Sequence, residues 1–369
     1  MKFSIQREVL LKPLQFIIGV VERRQTLPIL SNVFLEVKDN QLSMTATDLE
    51  IEIVAKTGLD AVEAGTTTLP ARKFLDIVRA LPDSAQIQLS QDVDKDRVVI
   101  RSGKSRFNLA TLPADDFPSI DEINRSYEFD LSQSQLKRLI DKTQFAMAQQ
   151  DVRYYLNGLL LEITSGLVKT VATDGHRLSY CECEAEVSPD SKIQIILPRK
   201  GVIELAKLLE GDDQPAHIIV GSNHLQMTLE NIRFTTKLID GRFPDYERVI
   251  PRTGDKQVVA ERESLRQTLA RTSILSNEKY RGIRIRLSNG LLQSQAHNPE
   301  MEEAEEEVEV QYQGEELEIG FNVNYLLDAL NVIPTEQVNL TFGDSNSSCL
   351  MMPSDEGSGC QYVIMPMRL

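Results

Sequence analysis

The sequence lacks any long apolar run. The longest, such as residues 16–21 and 158–161, fall far below the roughly 20 residues that a membrane-spanning helix requires. Arg7, Glu8 and Lys12 interrupt the N-terminal segment, so it carries no secretory pattern. These two absences argue against a membrane protein and against a secreted one.

Cysteine is scarce, and basic residues are outnumbered by acidic ones. The four cysteines, Cys181, Cys183, Cys349 and Cys360, form no dense disulfide framework, and we expect a reducing cytoplasm as their setting. The net charge is −15 and the pI about 4.9, which is unusual for a nucleic-acid binder. Net charge describes the whole molecule, however, and binding depends on where each sign of charge lies.

Nucleotide-binding motifs are also absent. The sequence contains no G-x-x-x-x-G-K-[ST] and no G-x-G-x-x-G, so neither ATP hydrolysis nor a dinucleotide cofactor is indicated. An enzyme acting on nucleic acid through Asp174 and His176 remains as an alternative, with Cys181 and Cys183 close by in sequence. Cys-x-Cys is narrower than usual zinc-ligand spacing, and a nuclease needs convergent carboxylates and a divalent metal. We therefore expect no cofactor, no metal and no catalytic residue.

Internal repetition is the strongest positive signal. TATDLEI at residues 45–51 recurs as VATDGHRLS at 171–179, and a fainter copy, SQAHNPEMEEAE, begins at Ser294. Strand-like runs from Leu30, Leu156 and Arg281 precede these motifs in the same order. Three copies of one unit are indicated, with domains at 1–126, 127–254 and 255–369.

Each unit has the same predicted elements. A first amphipathic helix (7–20, 132–148, 262–275) is followed by alternating strands, a second helix (from Ala71, Pro198 and Asn322) and more strands. Pro13 should kink the first helix or shift its start. Two helices with many short antiparallel strands predict an α+β unit that has its helices on one face of a sheet.

Basic residues concentrate in these helices. A helical face carrying them would attract phosphates without distinguishing bases, although an ordinary solvated surface gives the same pattern. The helical cations are Arg7, Lys12, Arg72, Lys73, Arg79, Lys137, Arg138, Lys142, Arg199, Lys200, Lys207, Arg262, Arg266 and Arg271. Acidic residues cluster instead at 302–309.

Several long motifs resemble one family along the whole chain. They are DVRYYLNG (151–158), TVATDGHRL (170–178), PRKGVIEL (198–205), LIDGRFPDYERV (238–249), ILSNEKYRG (274–282), IGFNVNYLLD (319–328) and MPMRL (365–369). In a single register, these motifs are similar to those of the bacterial DNA polymerase III beta subunits, the sliding clamps.

The resemblance implies a fold, an assembly and a set of partners. Three clamp domains per chain would form a head-to-tail homodimeric ring, with helices lining the hole and antiparallel sheets outside. Such a ring encircles duplex DNA independently of sequence, is loaded by an ATP-dependent clamp loader and tethers polymerases through short peptide motifs. The implied role is a non-catalytic processivity factor in the cytoplasm.

The resemblance also implies two sets of site residues, and complementary charge around an apolar centre suggests a third, for the dimer interface. The DNA-facing set is Arg24, Gln150, Tyr154, Tyr155 and Lys200. The cleft that receives partner peptides would be lined by Leu156, Thr173, Gly175, His176, Arg177, Leu178, Pro244, Arg248, Val249, Ser348, Val363, Met365, Pro366, Met367 and Arg368. For the dimer interface we expect Lys104, Arg106, Phe107 and Leu109 on one side, opposite Ile274, Leu275, Glu302, Glu303, Glu305 and Glu306.

Asp48 and Asp174 occupy equivalent repeat positions, and we expect their carboxylates to accept backbone N–H groups in a turn.

Two alternatives stay open among the expected cleft residues. His176 is either a buried structural residue or part of the pocket lining. The C-terminal methionines complete the last core or present an adaptable apolar surface to several partners, and both can hold because one face of a strand can pack while the other binds.

Overall fold

The structure is a computed structural model that describes residues 1–21, 27–60, 62–92, 95–120, 123–252, 254–355 and 357–368. The first third of the chain contains β1 (Lys2–Gln6), α1 (Arg7–Ile17), β2 (Asn32–Lys38), β3 (Gln41–Thr47), β4 (Ile51–Gly58), β5 (Val62–Glu63), β6 (Gly65–Pro70), α2 (Ala71–Ala80), β7 (Gln86–Asp92), β8 (Arg97–Ser102) and β9 (Ser105–Ala110).

The middle third repeats this order without a counterpart of β5. Its elements are β10 (Arg125–Ser132), α3 (Gln133–Asp141), β11 (Gly158–Thr164), β12 (Leu167–Thr173), β13 (Arg177–Glu184), β14 (Ile193–Pro198), α4 (Arg199–Leu208), β15 (Pro215–Gly221), β16 (His224–Leu229) and β17 (Ile232–Lys237).

The last third repeats it again. Its elements are β18 (Lys256–Glu261), α5 (Arg262–Thr272), β19 (Gly282–Ser288), β20 (Leu291–His297), β21 (Glu303–Gln311), β22 (Leu317–Asn322), α6 (Val323–Val332), β23 (Gln337–Phe342), β24 (Cys349–Pro353) and β25 (Cys360–Ile364).

The chain forms two compact units, and their borders do not follow the three repeats. The first unit contains 1–134 and 203–238, and the second contains 135–202 and 239–369. The first unit holds a five-stranded sheet (β5-β1-β7-β8-β9) and an eight-stranded sheet (β10-β15-β16-β17-β4-β3-β2-β6). The second unit holds one twelve-stranded sheet (β14-β11-β12-β13-β25-β24-β23-β18-β21-β20-β19-β22). The middle repeat is therefore divided between the two units.

Every strand pairing in the described residues is antiparallel, and pairings cross the repeat boundaries. In the first unit β17 pairs with β4, with Phe234 opposite Ile53. In the second unit β25 pairs with β13, with Val363 opposite Leu178. In both places the last strand of one repeat joins the third long strand of the repeat before it.

Helical periodicity accounts for the packing of α1. Leu10, Leu14 and Ile17 lie on one face at i, i+4 and i+7 and are buried, and the helix packs on β4 and α2. Pro13 lies inside the helix, which starts at Arg7 as the sequence predicted. The predicted shift of the helix start is therefore wrong.

The first helices of the later repeats end sooner than the sequence predicted. The hydroxyl Oγ1 of Thr143 donates to the carbonyl of Leu139 at 2.6 Å, and that of Thr272 donates to Thr268 at 2.9 Å. Such bonds to the i−4 carbonyl are known to weaken or bend a helix. The segments that follow, Gln144–Ala146 and Ser273–Leu275, are single 3-10 turns. No helix in the described part of the chain is both long and apolar enough to cross a membrane.

Candidate functional site

A tight turn joins β12 to β13 in the second unit. One carboxylate oxygen of Asp174 accepts the backbone N–H groups of His176 at 2.9 Å and Arg177 at 3.1 Å. The hydroxyl of Thr173 accepts from the Gly175 N–H and donates to the Arg177 carbonyl. Gly175 sits at φ +88°, a conformation that glycine adopts without strain.

The first unit has the same turn between β3 and β4. Asp48 accepts from the N–H groups of Glu50 and Ile51, and Thr47 donates to the Ile51 carbonyl. Leu49 occupies the glycine position at φ +76°. The predicted structural role of Asp48 and Asp174 in a turn is confirmed by these hydrogen bonds.

The side chain of Arg177 links this turn to α6. Its guanidinium forms ion pairs with Asp174 and Asp328 and donates to the carbonyl of Phe145 at 2.9 Å. The guanidinium carbon also lies 4.6 Å from the ring centroid of Tyr325 and 5.3 Å from that of Phe145. Only 11% of the side chain is exposed. Arg177 therefore acts mainly on the position of the turn.

His176 and the C-terminal tail are connected through the backbone. The imidazole of His176 is exposed and stacks on Tyr325, with 6.4 Å between ring centroids. The backbone carbonyl of His176 accepts the N–H of Met365 at 2.9 Å, and the N–H of Met367 donates to the Gly320 carbonyl at 2.8 Å. His176 is thus not a buried structural histidine.

Next to the turn lies an apolar group of side chains that we call the cleft cluster. Its buried members are Leu160, Val171, Leu178, Tyr180, Ile196, Phe243, Tyr246, Leu350 and Val363. Tyr155, Ile239, Val249, Ile250 and Met352 pack against it and are partly buried. The rings of Tyr180 and Tyr246 lie 5.9 Å apart. Partly buried apolar side chains around a buried apolar floor make this cluster suited to receive apolar side chains of a peptide.

The predicted cleft residues fall into distinct environments. Leu178 and Val363 belong to the floor of the cleft cluster, and Val249 packs against it. Leu156 is buried in the single turn Tyr154–Leu156. Met365, Pro366, Met367, Thr173 and Ser348 are half-buried, whereas Gly175, Pro244, Arg248 and Arg368 are exposed.

Sequence reasoning did not find several members of the cleft cluster. Tyr180, Phe243 and Tyr246 were missed, as were Ile196 and Met352. The segment LIDGRFPDYERV held a usable signal, since it places two aromatic residues in a loop rich in turn-forming residues.

A buried carboxylate stabilises one end of the cleft cluster. Glu162 is 1% exposed, accepts the hydroxyl of Tyr246 at 3.1 Å and forms ion pairs with Lys192 and Lys169. Burial alone would raise the pKa of Glu162, but hydrogen bonds from Lys192 and Gln194 and the charge of Lys192 leave that pKa below its usual value. Desolvation first, and then Glu162, raises the pKa of Tyr246, so this phenol stays neutral.

The predicted DNA-facing residues are only partly exposed. Tyr154 is 58% exposed, and its ring meets that of Tyr155 edge-on with 5.9 Å between centroids. Tyr155 packs against the cleft cluster instead of standing free. Gln150 is exposed at φ +56°, and Lys200 is half-buried at the start of α4. Arg24 lies outside the described residues.

Many of the helical cations are engaged within their own unit. Arg7 donates to the carbonyls of Val78 and Arg79 at the end of α2, and Arg262 donates to those of Leu330 and Thr335 around the end of α6. Others form ion pairs, including Lys12 with Glu210, Lys137 with Asp141, Arg266 with Glu263 and Arg271 with Glu306. The charge pattern of the sequence did not predict these internal roles.

The predicted dimer residues lie on two strand edges and one turn. Lys104 and Arg106 are exposed, Phe107 is half-buried, and Leu109 is 9% exposed and thus offers little surface. Ile274 is 72% exposed in the turn after α5, and Leu275 is half-buried. On and before β21, Glu302, Glu303 and Glu305 are exposed, whereas Glu306 accepts two hydrogen bonds from Arg271.

The structure gives no support to a catalytic centre at Asp174. Its carboxylate is occupied by the turn and by Arg177. Cys181 pairs with Cys360 across two strands and not with Cys183. Within the described ranges, no group of three or more His, Cys, Asp or Glu side chains is placed to hold a metal ion.

Comparisons with known proteins agree along the full chain. Residues 1–121, 130–245 and 247–368 match the N-terminal, central and C-terminal domains of the DNA polymerase III beta subunit. The "Beta sliding clamp" of Pseudomonas aeruginosa is 57% identical over 370 residues, and that of Escherichia coli is 50% identical over 370 residues. Both alignments cover 100% of each chain. Among solved structures, a DNA polymerase sliding clamp from Pseudomonas aeruginosa with ligand matches with a TM-score of 0.96, and a sliding clamp from that organism bound to griselimycin matches with 0.97. Each is 56% identical, with 100% of both chains covered.

Proposed function

Because this chain belongs to the DNA polymerase III beta subunit family, we propose that it is the sliding clamp that holds the replicative polymerase on duplex DNA. The role is non-catalytic: the clamp confers processivity by staying on the template while its partner performs the chemistry. The enzyme alternative at Asp174 and His176 is not favoured, since the relatives are named as clamps.

The cleft cluster is the observation that supports partner binding. Its floor is apolar, its rim carries partly buried side chains such as Tyr155 and Met352, and the tail from Met365 runs beside it through the bond to His176. A short extended peptide with apolar anchors fits such a surface, because a few buried anchors supply most of the binding energy. We assign polymerase and clamp-loader peptides to this one site.

Peptide binding tests this assignment. Met352→Ala and Tyr155→Ala remove rim contacts without touching the buried floor, and each should weaken binding of a labelled apolar peptide by about tenfold, or roughly 1.4 kcal/mol. Val152→Ala is the matched control, because Val152 is 95% exposed in the same unit and lies outside the cluster. Fluorescence anisotropy measures all three. Unchanged affinity in both rim variants would place the peptide site elsewhere.

Homodimerisation is proposed from two strand edges. Within each unit, the last strand of a repeat pairs with the third long strand of the preceding repeat, as β17 does with β4 and β25 with β13. Among the described strands, β9 pairs only with β8, and β21 pairs fully with β20 but with β18 only at Val310 and Gln311. Edges of this kind are templates for pairing with another chain.

The repeats also give a register for that contact. In these pairings, Arg233 of β17 lies opposite Val54 of β4, and Gln361 of β25 lies opposite Tyr180 of β13. The repeat places Arg106 of β9 at the position of Arg233 and Gln361. It places Glu305 of β21 at the position of Val54 and Tyr180, so the two residues of the proposed contact carry opposite charge. We therefore propose a head-to-tail dimer in which β9 of one subunit pairs with β21 of the other.

DNA contact is proposed to be electrostatic and independent of sequence. The family resemblance assigns this contact to Gln150, Tyr154, Tyr155 and Lys200, and to Arg24, which lies outside the described residues. Phosphate contacts of this kind position a protein on the duplex without distinguishing bases.

A further inference from the structure

Two cysteines meet where the second and third repeats join. Cys181 lies on β13 and Cys360 on β25, and the two residues are direct partners in the strand register. Their sulfur atoms are bonded to each other, and their Cα atoms are 4.1 Å apart. Both side chains are buried, so the pair lies in the packed interior and not on the surface.

The strand pattern explains why these side chains are so close. Glu182 donates its N–H to the Gly359 carbonyl, and Met365 donates to His176, which marks these as hydrogen-bonded pairs of the ladder. Pairs alternate along an antiparallel ladder, so Cys181 and Cys360 occupy a non-hydrogen-bonded position, where opposing side chains come closest. The backbone therefore holds the two thiols together whether or not they are oxidised.

Cys360 has a cationic neighbour and a route to solvent. A guanidinium nitrogen of Arg138 lies 3.7 Å from its sulfur, and the same side chain is held by the carbonyls of Glu182 and Ser358. Cys360 and Arg138 also line a cavity of about 530 Å³ in the second unit. A nearby fixed cation favours a thiolate, the reactive form of cysteine.

We propose that Cys181 and Cys360 form a reversible dithiol–disulfide couple that fastens the last strand of the chain to the strand beneath the cleft cluster. The oxidant is a small disulfide such as oxidised glutathione. The Cys360 thiolate attacks it and forms a mixed disulfide, releasing one glutathione thiolate. The Cys181 thiolate then attacks the Cys360 sulfur and releases the second glutathione. In total, two protein thiols lose two hydrogens and one glutathione disulfide becomes two glutathione thiols.

The other two cysteines do not fit this role. Cys349 is fully buried and unpaired in the described structure. Cys183 lies two residues from Cys181 on the same face of β13, and burial raises the pKa of its thiol. Cys183 is thus the natural control, because it lies on the same strand but is paired with Val168 of β12 and with no residue of β25 in the register of the described strands.

Mapping of thiols in the full-length protein tests the couple. The protein is equilibrated in glutathione buffers from reduced to oxidised, quenched by alkylation and digested with a protease that cleaves after glutamate. Cleavage after Glu182 separates Cys181 from Cys183, and cleavage after Glu356 separates Cys349 from Cys360. We expect two of the four thiols to be lost in oxidised buffer and a peptide joining Cys181 to Cys360 to appear.

Variants and reversal complete the test. Cys183→Ser should keep the linked peptide, whereas Cys181→Ser and Cys360→Ser should each abolish it. The oxidised wild type should unfold at a higher temperature than the reduced protein, and dithiothreitol should remove that difference. Full alkylation of all four thiols in oxidised buffer overturns the proposal, and so does a peptide that joins Cys183 to Cys360. These readouts do not depend on polymerase or DNA binding, so they stand apart from the proposed function.

Discussion

Replacing Arg177 with alanine should loosen the second unit more than it changes a peptide contact. The substitution leaves the carboxylates of Asp174 and Asp328 without their shared cation and the carbonyl of Phe145 without its donor. Breaking a fully buried ion pair costs about 3–5 kcal/mol, but Asp328 is 41% exposed and regains water. The loss of the cation–π contact with Tyr325 adds about 1 kcal/mol. We therefore expect a total cost of about 2–4 kcal/mol.

Hydrogen exchange measured by mass spectrometry locates this cost. Backbone amides in peptides from β13 and α6 should exchange faster in Arg177→Ala than in the wild type. The ratio of the two rates should correspond to the lost stability, because amide exchange depends on the free energy of local opening. Arg248→Ala is the control, because its side chain is 86% exposed and, among the residues that the structure describes, forms an ion pair with Asp245 alone. We expect a change below about 0.5 kcal/mol. Equal exchange in the wild type and Arg177→Ala would refute the assignment of Arg177 as the residue that positions the turn.

Three further predictions address assembly, DNA and ionisation. Arg106→Glu should lower the affinity of the dimer about tenfold in analytical ultracentrifugation, and adding Glu305→Arg should restore that affinity. A double variant that dimerises as weakly as Arg106→Glu alone would rule out this register. Lys200→Gln should lower the salt dependence of residence on DNA by roughly one slope unit for every base sequence tested, and an unchanged slope would remove Lys200 from the contact. Hydrogen bonds from Arg153, first from its side chain and then from its backbone, lower the pKa of Asp151 to about 2, so the stabilisation exists above its ordinary pKa of 3.8 and is lost as pH falls toward 2. NMR titration of Arg153→Ala should move that midpoint back toward 3.8, and a midpoint that stays near 2 would contradict the cause.

The repeats and their elements could be predicted because they depend on local periodicity. Apolar spacing located the six α-helices of the described residues, and the alternating runs from Leu30, Leu156 and Arg281 became β2, β11 and β19. Helix ends were predicted less well. The hydroxyls of Thr143 and Thr272 compete for backbone carbonyls, and an apolar pattern does not report that competition.

The candidate site was predictable only where one segment carries it. The turn around Asp174 is local, and its hydrogen bonds follow from short polar side chains at fixed offsets. The floor of the cleft cluster joins Tyr180, Ile196, Phe243 and Val363, which meet only through strand register and packing. Likewise, the basic residues of the helices looked free in sequence, but the carbonyls that hold Arg7 and Arg262 come from residues about 70 positions away.

The pairing of β13 with β25 has a consequence for the newly made chain. Cys181 and its partner Cys360 are 179 positions apart. During synthesis, one edge of β13 therefore stays unpaired until the segment that forms β25 has been translated. Contacts of such long sequence separation form slowly, and an open strand edge is prone to aggregation. A chain that stops before β25 has been made would leave β13 and β24 without the strand that joins them, and its twelve-stranded sheet would stay divided.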